Sequence, residues 1–379
     1  MPTSRAASIL LADPGSGFAR YREQLVKAFK RVLESGQYVL GKEVAALEAE
    51  FARYIGSGNA VGVASGTDAI ELALRATGAD GSGIAVTVAN SSVATAAAIC
   101  RAGLQTCFVD IDESSLLMDL ERLEAALQDL RSRRPAPEYL AVVVVHLYGA
   151  PVDMTRVAQL GARYDAVIIE DCAQAHGATW NSRRVGTFGS AGAFSFYPTK
   201  NLGGLGDGGM VVCDSDDVAQ RVRELRQYGW REQQSSTVVA SHSRLDELQA
   251  ALLRVLLPHT DARNTGRREV AAVYSQRLEE ITEIATPSNR PGHVYHQYVI
   301  QVDGRDDVRR SLEQELIATG VHYPIPIHLQ PAYRRSERFG SLQRSEVAAG
   351  RVLSLPIGDH INAAAAHRVS EAVARATST

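Results

Sequence analysis

The sequence predicts an α/β protein with a large, mostly parallel, seven-stranded sheet domain and a smaller C-terminal α+β domain. Three observations predict it. Apolar, β-branched runs alternate with helical patterns over residues 61–213. Those runs are continuously apolar rather than alternating, as in strands covered on both faces. After residue 215 helical patterns dominate and only one clear strand follows. The 379 residues allow two domains, expected at 1–250 (large) and 251–379 (small), with the boundary inside the helical patterns of 244–283.

Each element has its own signal. VGVAS (61–65) is a buried strand leading through Ser65-Gly66-Thr67 into a helical pattern at 67–77. GIAVTVA (83–89) precedes a helix at 93–102, and TCFVD (106–110) precedes one at 119–131. LAVVVVHL (140–147) is an unbroken β-branched run, followed by a helix at 154–164. AVIIED (166–171) ends in two acids, and GAFSF (192–196) and GMVVC (209–213) bracket a glycine-rich loop. Beyond them lie helical patterns at 215–228, 244–257 and 264–283, then the strand YHQYVIQV (295–302). A helix at 306–319 and the Pro/His-rich loop HYPIPIHLQPAY (322–333) follow.

Composition narrows the function. Hydrophobic residues at 45% and charged residues at 22% are ordinary for a soluble globular protein. The net charge is −3 and the basic residues are scattered, which argues against nucleic acid or a membrane as partner. Cys100, Cys107, Cys172 and Cys213 form no C-x-x-C pair and read as free thiols of a reducing compartment, so no metal is expected. The first residues, MPTSRAASILLADPGSG, hold too short an apolar patch for a signal peptide. A cytoplasmic protein is expected.

Three stretches carry chemistry. At Ser65-Gly66-Thr67 a strand feeds a helix N-terminus, where free N–H groups can bind an anion. Thr67 or Asp68 could cap that helix, and a plain cap would look the same. Asp171 ends a strand whose carboxyl end faces the ligand side of a parallel sheet, with Gln174 and His176 just beyond. In FSFYPTKNLGGLGDGGM (194–210), Lys200 lies between a strand and a loop with five glycines. A lysine whose pKa is lowered by burial is a nucleophile toward aldehydes and a proton shuttle. The glycines read as freedom for tight turns and close approach to a planar ligand. The string is neither a Walker loop nor a dinucleotide fingerprint.

Together the three fit pyridoxal 5'-phosphate. Gly66, Thr67 and Ser195 would hold the phosphate, Asp171 the pyridine nitrogen, and Lys200 would form the Schiff base. Residues 1–250 would then be the cofactor-binding domain.

The sequence resembles the fold-type-I pyridoxal phosphate enzymes, and within them the DegT/DnrJ/StrS sugar aminotransferases. The resemblance runs from about residue 18 to 360. It rests on SGQYVLGKEVAALEAEFARYIG (35–56), VASGTDAIELAL (63–74), VHLYGAPVDM (145–154), EDCAQAHGA (170–178), FSFYPTKNLGGLGDGGMV (194–211), SRLDELQAALLRVLLPH (243–259) and HYPIPIHLQPAY (322–333). It implies that Lys200 bonds the cofactor, that Asp171 binds the ring nitrogen, and that Gln174 lies over the ring and bonds its phenolic oxygen. Gly66, Thr67 and Ser195 take the phosphate. It also implies a homodimer with its sites at the interface, and a ping-pong reaction from L-glutamate, leaving 2-oxoglutarate and pyridoxamine 5'-phosphate, to a nucleotide-linked keto sugar. Some dehydratases of the family carry histidine at the lysine; this chain keeps Lys200, which favours transamination.

Two positions depart from the family. His242 stands where an asparagine usually reaches the partner's phosphate, and Ser92 stands where an aromatic often stacks on the ring. Gln174 with HYPIPIHLQPAY resembles members that aminate C3 of dTDP-3-keto-6-deoxyhexoses, with His322, Tyr323 and His328 as candidate sugar or diphosphate contacts. Loop packing around the prolines is an equal reading of those three. The alternatives are a 4-keto sugar nucleotide or keto-cyclitol aminotransferase and, from another class, a regulator that kept the fold. Intact Lys200 and Asp171 argue against the regulator.

Overall fold

The structure is a computed structural model and describes residues 8–232 and 235–378. All seven expected strands form: β1 (Asn59–Val63), β2 (Ile84–Val88), β3 (Gln105–Val109), β4 (Leu140–Val145), β5 (Val167–Asp171), β6 (Ala191–Ser195) and β7 (Gly209–Cys213). They lie side by side in the order β1-β7-β6-β5-β4-β2-β3. β7 runs against β1 and β6, and every other pairing in the row is parallel. An eighth strand, Glu337–Arg338, extends the expected seven by pairing in parallel with β3. It is only two residues long, too short to leave a periodic pattern.

The unbroken apolar runs are explained by burial on both faces. All six residues of β4 are buried. Val142 and Val144 pack into one core with Leu123, Leu127 and Val157, while Ala141 and Val143 pack into another with Ile70, Leu74 and Ile99. Successive side chains of a strand leave by opposite faces, so each layer of helices needs its own apolar set.

Among the described residues, a second sheet of Ile284–Ala285, Tyr298–Val302 and Val352–Leu355 is antiparallel throughout. Its core is closed by the helices Thr260–Leu278, Arg305–Gln314 and Ala363–Thr377 through Tyr274, Leu312 and Val369. The helix expected at 264–283 thus starts and stops earlier, and the one expected at 306–319 ends at Gln314.

Two long helices not predicted from the sequence, Arg22–Ser35 and Lys42–Ile55, precede β1. In the first, Leu25, Ala28 and Val32 are buried while Val26, Phe29 and Leu33 stay exposed. Two apolar faces blur the single stripe by which a helix is recognised. No helix among the described residues is long and apolar enough to cross a membrane.

Candidate active site

Strand register brings the chemistry to one edge of the sheet. Val63 pairs with Gly209, Gly209 with Ser195, Ala193 with Asp171, and Asp171 with Val145. The loops leaving β1, β4, β5 and β6 therefore open onto a common cavity of ≈ 280 Å³. Gly66, Thr67, Ser92, Asp171, Gln174, Ser195 and Lys200 all line it.

At the floor, the helix Gly66–Ala76 starts directly against the end of β6. Its cap is Ser65, whose Oγ accepts from the Asp68 N–H at 3.1 Å, and not Thr67 or Asp68 as the sequence suggested. Thr67 is thereby left for the cavity. A Cβ at Gly66 would fall 2.6 Å from the Ser195 Cβ, so only glycine lets the two segments meet.

Asp171 is buried, and both of its oxygens are engaged. Oδ2 accepts from the Thr95 hydroxyl at 2.8 Å and Oδ1 from the Ala173 N–H at 3.1 Å. Burial pushes its carboxyl above the ordinary range, against the pull of these two donors and of Lys200. The preceding Glu170 points to the other face. Its carboxylate accepts from the N–H groups of Gly186, Phe188 and Gly189 at 2.7, 2.6 and 2.8 Å. It also meets His146 Nε2 at 3.1 Å. Because His146 Nδ1 accepts from the Val152 N–H, the proton sits on Nε2 and is donated to Glu170. His146, Glu170 and Cys172 are close enough together to share an ion, yet Glu170 and His146 are fully occupied by protein partners. The group reads as a knot that pins the 186–189 turn behind Asp171.

Lys200 follows a turn in which its N–H donates to the Tyr197 carbonyl at 2.9 Å. The glycines after it have a reason other than the one expected. Gly203, Gly204, Gly206, Gly208 and Gly209 all keep ordinary backbone angles. A Cβ at Gly203 would strike the Pro198 carbonyl at 2.5 Å, and one at Gly209 the Ser65 carbonyl at 2.3 Å. The loop folds onto its own backbone, closed by Phe196 N–H to Gly208 O and Gly204 N–H to Phe196 O, both 2.8 Å. Burial brings the Lys200 amine down to about 8, opposed by the charge of Asp171. Burial and the charge of Lys200 also push the imidazoles of His176, His296 and His322 toward the neutral form.

Gln174 is fixed at both ends. Its Oε1 accepts from the Tyr148 N–H at 2.7 Å, and its Nε2 donates to the Tyr323 hydroxyl at 3.2 Å. Burial pushes the Tyr323 phenol up, and the neighbouring Ser92, the residue in the family's aromatic position, pulls it down. His322 is half-buried, its Nδ1 2.8 Å from Ser354 Oγ, and its carbonyl accepts from the Tyr148 hydroxyl. His328 is elsewhere. Its ring is wholly buried against Phe108, with Nε2 3.0 Å from Glu346, so the reading of His328 as a sugar contact is corrected to one of packing. His242 is exposed, edge-on to the Tyr228 ring, and lines no part of this cavity. Thr95, Tyr148 and Asn201 were missed in the sequence. Thr95 alone had a signal, lying one helical turn after Ser91 at a strand's carboxyl end.

Compared with known proteins, the DegT/DnrJ/EryC1/StrS aminotransferase family matches residues 20–374. The chain belongs to that family. It is 40% identical to the dTDP-3-amino-3,4,6-trideoxy-alpha-D-glucose transaminase of Streptomyces venezuelae, over 95% of this chain and 94% of that protein. A relative from Geobacillus stearothermophilus, 38% identical over 92% of this chain and 93% of its own, is called a pleiotropic regulatory protein. Among solved structures, S. venezuelae DesV in complex with a ketimine intermediate superposes with a TM-score of 0.92 at 39% identity. That match covers 99% of this chain and 100% of the other. This aminotransferase thus has the α/β fold expected of it.

The cavity fits the cofactor expected from the sequence. The start of a helix, the Thr67 and Ser195 hydroxyls and the close approach at Gly66 suit a phosphate. A buried carboxylate suits a protonated ring nitrogen, and a lowered amine suits an aldehyde. Gly66→Ala is expected to weaken pyridoxal phosphate binding by about 1–3 kcal/mol, roughly 5- to 150-fold, because the methyl must move Ser195. A fluorescence titration of the cofactor checks it, and unchanged affinity would contradict the cradle.

Proposed function

We propose that this enzyme uses pyridoxal phosphate to move an amino group from L-glutamate to C3 of a dTDP-linked 3-keto-6-deoxyhexose. The carrying observation is Lys200, a half-buried side chain whose amine is brought down to about 8 by desolvation and which lines a cavity together with Asp171, Gly66, Thr67 and Ser195. The named transaminase relative at 40% identity supports the sugar class. When bound, the cofactor supplies an electron sink for carbon–hydrogen cleavage next to nitrogen.

The residues divide the remaining work. Lys200 Nζ gains and loses a proton near neutral pH, as a shuttle between two carbons must. Asp171, held by Thr95 and Ala173, would keep a proton on the ring nitrogen of the bound cofactor. Gln174 has its Oε1 committed to Tyr148, so Nε2 is a fixed donor toward the phenolic oxygen. Gly66, Thr67 and Ser195 take the phosphate. With the cofactor held by these residues, the nitrogen would pass from glutamate, released as 2-oxoglutarate, to the sugar ketone.

The resemblance of Gln174 with HYPIPIHLQPAY (322–333) to members that aminate C3 supports C3 over the 4-keto alternative; Gln174 allows a keto-cyclitol, and HYPIPIH argues against it. The regulator reading draws on the name of the Geobacillus relative; the intact Lys200 and Asp171 favour catalysis. A second copy of this chain suits the apolar face of Val26, Phe29, Leu33 and Leu205, each 46–60% exposed, beside the groove of Phe18, Leu25 and Leu252. In such a dimer exposed His242 would serve the partner's site. We place the enzyme in the cytoplasm. The test is incubation with glutamate and a panel of dTDP-3-keto sugars, dTDP-4-keto sugars and a keto-cyclitol, read by mass and NMR. Amination at C3 is expected; amination of only the 4-keto sugar or the cyclitol would overturn the assignment.

A further inference from the structure

We propose that Asn201 is a positioning residue for Lys200, acting through a one-way chain of buried hydrogen bonds that ties the lysine's backbone to the loop carrying Asp171 and Gln174. The proposal rests on the reading of Lys200 as the working amine.

Asn201 directly follows Lys200 and is 1% exposed. Its Nδ2 donates to Asn264 Oδ1 at 2.8 Å and to the Val294 carbonyl at 3.0 Å. Both amide hydrogens are thereby spent, and Oδ1 can only accept. Its partner is His296 Nδ1 at 3.2 Å, so that nitrogen carries the proton. Asn264 Nδ2 in turn donates to the His176 carbonyl at 2.8 Å, which leaves its Oδ1 facing Asn201. Every orientation is set by its neighbour, and the direction runs from His296 through Asn201 and Asn264 to His176. His176 lies two residues beyond Gln174 and five beyond Asp171.

None of these four residues lines the cavity, and all are buried. A polar network in such a place adds little net stability over a well-packed apolar one, but a broken link is costly. What it supplies is a single geometry. The helix Thr260–Leu278, through Asn264, and the 294–296 segment hold the Lys200 backbone from behind while the Nζ works in front. The charged and titratable groups around that amine are Asp171, His176, His296 and His322. Losing Asn201 frees both the lysine's backbone and the His296 ring.

The test compares wild type, Asn201→Ala, Asn264→Ala and the double variant, each loaded with pyridoxal phosphate. The visible absorption of the Lys200 Schiff base is titrated against pH, and kcat and KM are measured separately. Asn201→Ala is expected to lower kcat about 10- to 100-fold, the scale of a small misplacement of a reacting group. KM for both substrates stays within about twofold, and the Schiff-base pKa moves by about half a unit or more. Asn264→Ala should shift both quantities in the same direction, with the double variant no worse than Asn201→Ala alone. If the variants melt lower yet keep the wild-type titration and kcat, the proposal is overturned. Should Asn201→Ala not fold, Asn264→Ala alone decides by the same two readings. A wild type whose trapped cofactor maps away from Lys200 would instead overturn the assignment of the working amine.

Discussion

Replacing Lys200 with alanine is expected to lower turnover by at least about 10³-fold, within the range lost when a positioned proton carrier is removed. The protein should still bind the cofactor through Asp171, Gly66, Thr67 and Ser195, but borohydride should trap none of it on the chain. Lys200→Arg should fare no better. A guanidinium stays charged at any working pH and cannot attack an aldehyde, whereas burial has brought this amine to about 8. Lys200→Ala should not cost stability, because the Lys200 side chain is a charge taken out of water, whereas the larger and permanently charged guanidinium of Lys200→Arg should cost some. The pH dependence gives a sign that can be checked on cofactor-free protein. The folded-state amine sits near 8 and its ordinary value is 10.5, so between those limits the unfolded chain binds more protons. Wild-type stability should therefore rise relative to Lys200→Ala as pH climbs from about 8 to 10.5. Melting curves across that window measure it, and a difference that stays flat would mean the amine is not desolvated.

Asp171→Asn is expected to slow both half-reactions by about 10²- to 10³-fold, the scale of losing one preorganised electrostatic partner. The geometry says why an amide of the same size fails. Ala173 N–H requires an acceptor at Oδ1, so the amide nitrogen must take the Oδ2 position facing Thr95. The threonine hydroxyl can turn to accept, so the fold survives. What would be lost is the negative charge proposed to hold a proton on the ring nitrogen. Single-turnover rates with glutamate alone and with the sugar alone check this; a loss confined to one half would show that Asp171 contacts a substrate instead.

The sheet and the three chemical stretches were legible in the sequence because their signals are local. An unbroken run such as 140–147 or the Ser65-Gly66-Thr67 turn carries its meaning within a few residues. What could not be read are the bonds made across the fold. Thr95 meets Asp171 from 76 positions away, and Gln174 meets Tyr323 across 149. The choice of Ser65 over Thr67 as cap depends on which hydroxyl the end of β6 leaves free. His328 was misplaced for a similar reason. Prolines set the course of its loop, but Phe108 from β3 and Glu346 from the helix Gln343–Arg351 decide that its ring turns inward.

The two-residue strand Glu337–Arg338 restricts how the mouth can open. It hydrogen-bonds beside β3, Glu337 pairs with Arg133, and the Phe339 N–H reaches the Phe108 carbonyl at 2.9 Å. The chain leaves the small sheet after Val302, makes these stitches, and returns at Val352. A jaw swinging as one rigid piece would have to tear that seam. Any opening that keeps the seam intact has to be confined to segments outside it, such as the 322–333 loop whose Tyr323 meets Gln174.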